Sequence, residues 1–270
     1  MTTNQTLTVA GADLYYEVRG SGPLVVLLGS PMGARSFAPL ADLIASDYTV
    51  LTTDPRGIDR SPVSDPDQDS TPQLRAGDVS DLLTLLDAGP AAVFGSSGGA
   101  VTALALAEAR PDLVHTVIAH EPPLCELLED REQLDAGTEK MIATYLGGDS
   151  LGAWGQFMAQ ASIDLPEGAL EMIFGGDRSA QQLADERRWF EHELRGTVRW
   201  QPDLPVLRAG KPRIIAGIGE DSAGQLCDRA TRTFATAVGV EPTMFPGGHT
   251  GCADDPATFA PRLREVLALA

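Results

Sequence analysis

The stretch Val93-Phe94-Gly95-Ser96-Ser97-Gly98-Gly99-Ala100-Val101 constrains this chain most, because it changes structural period in the middle. Apolar residues run up to Gly95, and an Ala, Val and Leu helix pattern begins directly after Gly99. A strand that passes into a helix through five small residues needs a turn too tight for larger side chains. Gly95-x-Ser97-x-Gly99 at such a junction is the pattern of a nucleophile elbow, where a strained turn lifts a serine hydroxyl above the sheet. The helix that follows aims its N-terminus at the same place and favours developing negative charge there. Ser97 is the candidate nucleophile. Ser96, the last side chain of the strand, is read as structural.

The flanking sequence alternates strand and helix. Residues 7–10 and 12–20 around Gly11 suggest an antiparallel pair, and 23–29 is a continuous apolar run suited to a strand buried on both faces. Helix over 36–46, strand over 48–54 and a helix opened by Thr71-Pro72 and closed by Gly89 come next. After the elbow, residues 113–121 read as strand. The rhythm then breaks: 122–206 is mostly helical and irregular, with Pro122-Pro123 and two Gly-Gly pairs. It resumes with strand at 211–219, helix at 223–239, strand at 241–247 and a terminal helix from Asp255-Pro256 that Pro261 should kink or delay. Alternation of this kind predicts a mostly parallel, doubly wound α/β sheet. The expected core domain is 1–121 with 207–270, and 122–206 is a helical lid inserted over one end of the sheet.

Composition narrows the partners. The formal net charge of -18 over 270 residues repels nucleic acid and anionic lipid, so neither is an expected partner. Three cysteines without framework spacing, no signal-peptide pattern and no long apolar run point to the cytoplasm and away from a membrane. No His, Cys and carboxylate spacing suggests a metal, and no phosphate-cradling glycine loop suggests a nucleotide. The expected cofactor is none and the expected partner a small molecule, with monomer and homo-oligomer both open.

Four stretches together resemble the α/β-hydrolase superfamily, over nearly the whole chain. Residues 25–37 are similar to its His-Gly-x-Pro turn, with Leu28 where the His stands. Residues 51–61 resemble its Asp-x-Arg-Gly-x-Gly-x-Ser stretch, with Asp59 replacing the second Gly. The third stretch is the elbow. The fourth, residues 245–251, resembles the loop that presents the catalytic histidine, which makes His249 the base; His115 and His192 are read as structural or solvated, and His120 lies near enough to touch substrate. The resemblance implies the α/β-hydrolase fold and an oxyanion hole made by the Gly98 and Ser30 N–H groups. It leaves the acid open. Asp221, after the strand that follows the lid, is preferred; Glu121, at the end of the preceding strand, and Glu220 are the alternatives. Asp54 and Arg56 are expected to pair and fix their loop.

Lid residues Met141, Tyr145, Trp154, Phe157, Met158, Ile163, Met172 and Phe174 are divided between packing and lining an apolar pocket. The expected activity is a Ser-His-acid hydrolase acting on an ester, lactone or related acyl bond of a neutral substrate. C–C bond hydrolysis, perhydrolysis, cofactor-free dioxygenation and a slow ligand receptor on the same fold remain alternatives.

Overall fold

The computed structural model describes residues 2–209 and 211–269. The antiparallel pair near the N-terminus forms as β1 (Thr3–Val9) and β2 (Ala12–Gly20). The chain continues through β3 (Leu24–Leu28), α1 (Ala34–Ile44), β4 (Thr49–Thr53), α2 (Pro72–Leu86), β5 (Ala91–Ser96), α3 (Gly98–Ala109) and β6 (Val114–His120). Six helices follow: α4 (Arg131–Leu146), α5 (Ser150–Ala161), α6 (Ala169–Phe174), α7 (Ala180–His192), α8 (Leu194–Val198) and α9 (Leu204–Arg208). Then come β7 (Arg213–Gly219), α10 (Leu226–Val238), β8 (Thr243–Phe245), α11 (Gly251–Asp254) and α12 (Pro256–Ala268).

The eight strands form one sheet in the order β1-β2-β4-β3-β5-β6-β7-β8, parallel from β4 through to β8. Alternate side chains of β3 feed two cores. Val25 and Leu27 join Phe37, Leu40 and Phe259 under α1 and α12, while Leu24, Val26 and Leu28 face the α2 and α3 side with Leu82 and Leu104. Both faces of the central strands are thereby covered, which explains their unbroken apolar runs. This is the α/β-hydrolase fold.

Two local expectations change. The α2 N-cap forms, with the Leu74 N–H donating to Thr71 Oγ1 at 3.2 Å, but the helix ends on Asp87 in the left-handed region and not on Gly89. The last helix starts at Pro256 with Asp255 as its cap and runs on through Pro261, so its start is not delayed.

The loop after β4 is built differently from the sequence expectation. Asp54 and Arg56 do not pair with each other. Asp54 accepts from the Ala34 N–H at 2.8 Å and takes Arg60 as its cation at 2.7 Å. Arg56 reaches Asp78 on α2, with Nε to Oδ2 at 2.7 Å. The chain turns at Arg56-Gly57, directly after Asp54 and Pro55, so the Asp54 carboxylate faces the start of α1 while the Arg56 guanidinium reaches α2. Asp59 stands where the family has glycine and adopts φ 46, the left-handed region that glycine would occupy without strain.

His120 is fully buried among Phe94, Phe245 and Phe259, with ring centroids 5.6 to 5.8 Å away. Neither ring nitrogen has a hydrogen-bond partner, and burial pushes its pKa down to about 4. It lies behind the pocket wall, packed in the core. The unfolded chain therefore binds a proton that the folded one refuses between about pH 6.5 and about pH 4. Stability is expected to fall as pH drops through that window, by roughly 3 kcal/mol from this group. Urea unfolding at pH 7.5 and pH 5 should show about 2 kcal/mol of this loss in the wild type and a clearly smaller one in His120→Leu. An equal slope in both would show that His120 is not the group responsible.

Candidate active site

The elbow follows from close packing of three backbones. A Cβ at Gly95 would lie 2.4 Å from the Gly99 carbonyl oxygen, and one at Gly99 would lie 2.3 Å from that of Leu28. Both positions therefore need glycine. Between them Ser97 is held at φ 55, ψ −123, and its N–H donates to the His120 carbonyl at 2.9 Å. The strain costs on the order of 1 to 3 kcal/mol and is held in place by the surrounding sheet and helix. Ser97 is half-buried and opens onto a cavity of about 180 Å³ beyond the sheet's C-terminal edge.

His249 reaches the same cavity on the loop between β8 and α11. Its Nδ1 lies 2.6 Å from Glu121 Oε2. Glu121 directly follows β6, is fully buried, and its other oxygen accepts from the Gly219 N–H at 2.8 Å. Its backbone is also left-handed, at φ 52, with its N–H bonded to the Gly217 carbonyl at 3.0 Å. Burial alone would raise its pKa, but the His249 hydrogen bond and charge pull it below the usual carboxylate range, to about 2. The carboxyl is ionised and aimed.

Burial pushes the His249 imidazole down, while the nearby Cys227 sulfur and the Glu121 carboxylate push it up more strongly, so it is raised above its ordinary value. The tertiary structure thus puts Glu121, and not the preferred Asp221, against His249. β7 ends at Gly219, and the turn after it carries Glu220 and Asp221 out to the surface. Their N–H groups donate to Phe245 and Gly247 carbonyls, at 2.9 and 3.0 Å.

Ser30 and Gly98 also line the cavity. Gly98 is the first residue of α3, so its N–H has no partner within the helix. The two residues touch closely, since a Cβ at Gly98 would lie 2.9 Å from the Ser30 carbonyl oxygen. Leu28, in the family's His position, is simply a buried strand residue.

Met141, Trp154, Phe157 and Ile163 form wall, joined by Trp189, Leu194 and Val198. Phe174, Tyr145 and Phe190 support that wall. Phe174 stacks on Trp154 at 4.0 Å, and Tyr145 stacks on Phe190 at 4.3 Å. Trp154 also stacks on Trp189 at 5.0 Å, and its indole N–H donates to the buried Glu186, which Arg178 grips with both terminal guanidinium nitrogens. Met172 is exposed. Nothing in the sequence marks Trp189 or Cys227 as wall residues. Trp189 sits in a charged helical stretch, and Cys227 depends on where α10 is docked.

His115 is exposed beside Thr116, and His192 meets Asp69 at 3.0 Å, both away from the cavity. The thiols of Cys125 and Cys252 are buried and pushed up to about 12 by burial, which makes them poor nucleophiles. No group of His, Cys, Asp and Glu suited to a metal ion occurs among the described residues, and none of their helices is long and apolar enough to cross a membrane.

The fold and this cavity define a hydrolase of the α/β type, and the chain belongs to that family: residues 22–164 match its family model, the alpha/beta hydrolase fold. Among its relatives is the uncharacterized hydrolase YraK of Bacillus subtilis (strain 168), 30% identical over 98% of this chain and 96% of that protein. A zearalenone hydrolase of Bionectria ochroleuca is 28% identical over 96% of each chain. A provisionally assigned epoxide hydrolase of Pseudomonas aeruginosa superposes with a TM-score of 0.71 at 22% identity, over 99% of this chain and 96% of that one.

Proposed function

We propose that the protein is a serine hydrolase that cleaves the ester, lactone or related acyl bond of a small, neutral, largely apolar molecule. The observation that carries this reading is the 2.6 Å contact between His249 Nδ1 and the buried Glu121 carboxylate, in a cavity that Ser97 also lines. In this reading Ser97 Oγ attacks the carbonyl carbon and His249 Nε2 takes the hydroxyl proton. Glu121 holds the ring in the tautomer whose Nδ1 carries hydrogen and stabilises the imidazolium that forms. The Ser30 and Gly98 N–H groups receive the oxyanion. His249 returns its proton to the leaving oxygen, and water then releases the acyl group by the same steps.

Residues 122–206 act in this reading as a lid that supplies the apolar wall. The similarity to a zearalenone hydrolase supports the hydrolase reading without specifying a substrate. A serine at position 97, in place of an aspartate, disfavours the alkyl-enzyme chemistry of epoxide hydrolases.

Apart from His249, the side chains lining the cavity carry no ionisable nitrogen or carboxyl group, and the chain's charge is -18, so an anionic acyl part is disfavoured. Turnover of nitrophenyl esters should favour a neutral butyryl or hexanoyl group over a hemisuccinyl group by at least about tenfold in kcat/KM, since one unpaired buried charge costs more than 1.4 kcal/mol. No turnover of any ester or lactone, together with tight binding of such a compound, would point to a receptor.

A further inference from the structure

Glu193 is a carboxyl that the proposed chemistry does not use, and it sits in an unusual place. It is fully buried at the joint between α7 and α8. Its Oε1 accepts a hydrogen bond from Ser30 Oγ across 163 residues of chain, and its Oε2 has no partner. Ser30 is the residue whose N–H is read as one oxyanion donor. Its side chain also lies against the other donor's residue, since a Cβ at Gly98 would meet Ser30 Cβ at 2.9 Å and Oγ at 3.0 Å. Anything that fixes the Ser30 hydroxyl therefore fixes the spacing of the two N–H groups.

Burying a carboxyl is costly unless its charge is balanced. Arg75 and Arg188 are the nearby cations that a Glu193 carboxylate would balance. Arg75 is buried and anchored by Thr102 Oγ1 at 3.0 Å, Thr197 Oγ1 at 2.9 Å and the Ser70 carbonyl. Arg188 spans from α7 to the Pro66 and Gln68 carbonyls at 2.7 and 2.5 Å. The Ser70 N–H also donates to the His192 carbonyl at 2.8 Å. The α7–α8 joint is thus tied to the core around α2 on one side and to the loop after β3 on the other. A carboxyl that only neutralised Arg75 and Arg188 would not need to reach Ser30.

We propose that Glu193 is a positioning residue for the oxyanion-binding loop: it holds the Ser30 hydroxyl so that the Ser30 and Gly98 N–H groups converge, and it makes the docking of the helical insertion a condition for that geometry. The neighbours of Glu193 make the coupling direct. Trp189, Leu194, Thr197 and Val198 line the cavity, so the same joint sets the substrate wall and the donor pair together. A donor pair set a few tenths of an ångström too wide still admits substrate but stabilises the tetrahedral oxyanion less. The effect belongs in kcat and not in KM.

This inference rests on the serine-hydrolase reading, and one experiment separates the two. Ser30→Ala, Glu193→Leu, Glu193→Gln and the Ser30→Ala/Glu193→Leu double variant are compared with the wild type. The readouts are kcat and KM on a neutral nitrophenyl ester, the rate of fluorophosphonate labelling, and Tm. Ser30→Ala keeps the backbone N–H and removes only the tether. It and Glu193→Leu should each lower kcat by about 10- to 100-fold, less than loss of a donor outright, with KM within about threefold. The double variant should be no worse than the poorer single variant, because both remove one interaction. Glu193→Gln should stay within about threefold of wild type, since an amide oxygen still accepts from Ser30.

Wild-type kcat in Ser30→Ala, losses that multiply in the double variant, or a loss confined to KM overturns the proposal. If Glu193→Leu does not fold, Glu193→Asp, which withdraws the carboxyl by one methylene, replaces it with the same expected loss. A wild type that neither turns over esters nor takes up the phosphonate refutes the hydrolase reading. An active, labelled wild type with indifferent variants refutes only the role of Glu193.

Discussion

Ser97→Ala is expected to lower kcat on a short-chain ester by at least ~10⁴-fold and to abolish labelling by a fluorophosphonate, while the wild type takes up one equivalent at Ser97. The size of the effect follows from the turn. Glycine at 95 and 99 lets the strand, the helix and the Leu28 backbone approach within distances that exclude any Cβ, and this leaves Ser97 at φ 55 at the N-terminus of α3. Alanine takes up the same strained backbone, so Tm should move little and the loss should be chemical. Intact-mass spectrometry of the labelled wild type and variant is the check. Labelling of Ser97→Ala at the wild-type rate would place the nucleophile elsewhere.

Glu121→Gln is expected to cost about 10³- to 10⁴-fold in kcat, whereas Asp221→Asn should remain close to wild type. The carboxylate does two things that an amide cannot do together. In the proposed mechanism it accepts from Nδ1 and so selects the tautomer with Nε2 free to act as base, and its charge stabilises the imidazolium. An amide rotated to present its NH₂ would select the opposite tautomer. The pH dependence provides an independent reading. Because the His249 pKa is raised, kcat/KM should climb with pH through an inflection above the ordinary histidine value of about 6.5. The residual activity of Glu121→Gln should show that inflection at lower pH, since the carboxylate no longer favours the charged ring. The upward push from Cys227 remains in both proteins, so the difference between them isolates Glu121. If Asp221→Asn collapses instead, with Glu121→Gln active, the contact at 2.6 Å is structural and the acid lies after β7.

The sheet, its helices and the elbow were legible in sequence because their determinants are local. Alternate side chains of β3 serve two cores, so the strand reads as an unbroken apolar run; Thr71-Pro72 and Asp255-Pro256 start helices through contacts three residues away. The turn around Ser97 was legible because close backbone approach leaves glycine as the only residue that fits at 95 and 99. His249 was reached from its glycine-rich loop after the last strand.

The partnerships were decided by the tertiary structure. A carboxylate's partner depends on which strand end faces which loop, and Glu121 meets His249 across 128 residues of chain, where neither propensity nor spacing carries information. Distance from His249 in sequence favoured Asp221, but the turn after β7 exposes Glu220 and Asp221, while β6 delivers Glu121 beneath the histidine loop. Arg56 chose Asp78 over Asp54 for a similar reason, because the turn after β4 carries its guanidinium to α2 while Asp54 stays with Ala34 and Arg60. The chain by itself determined its secondary structure, its sheet and the serine at the elbow, through hydrophobic period and the sterics of small residues. Only the folded arrangement decided which acid meets the histidine, which aromatic rings wall the cavity and which buried carboxyl holds Ser30, because those contacts join segments that meet only when the sheet and the insertion pack together.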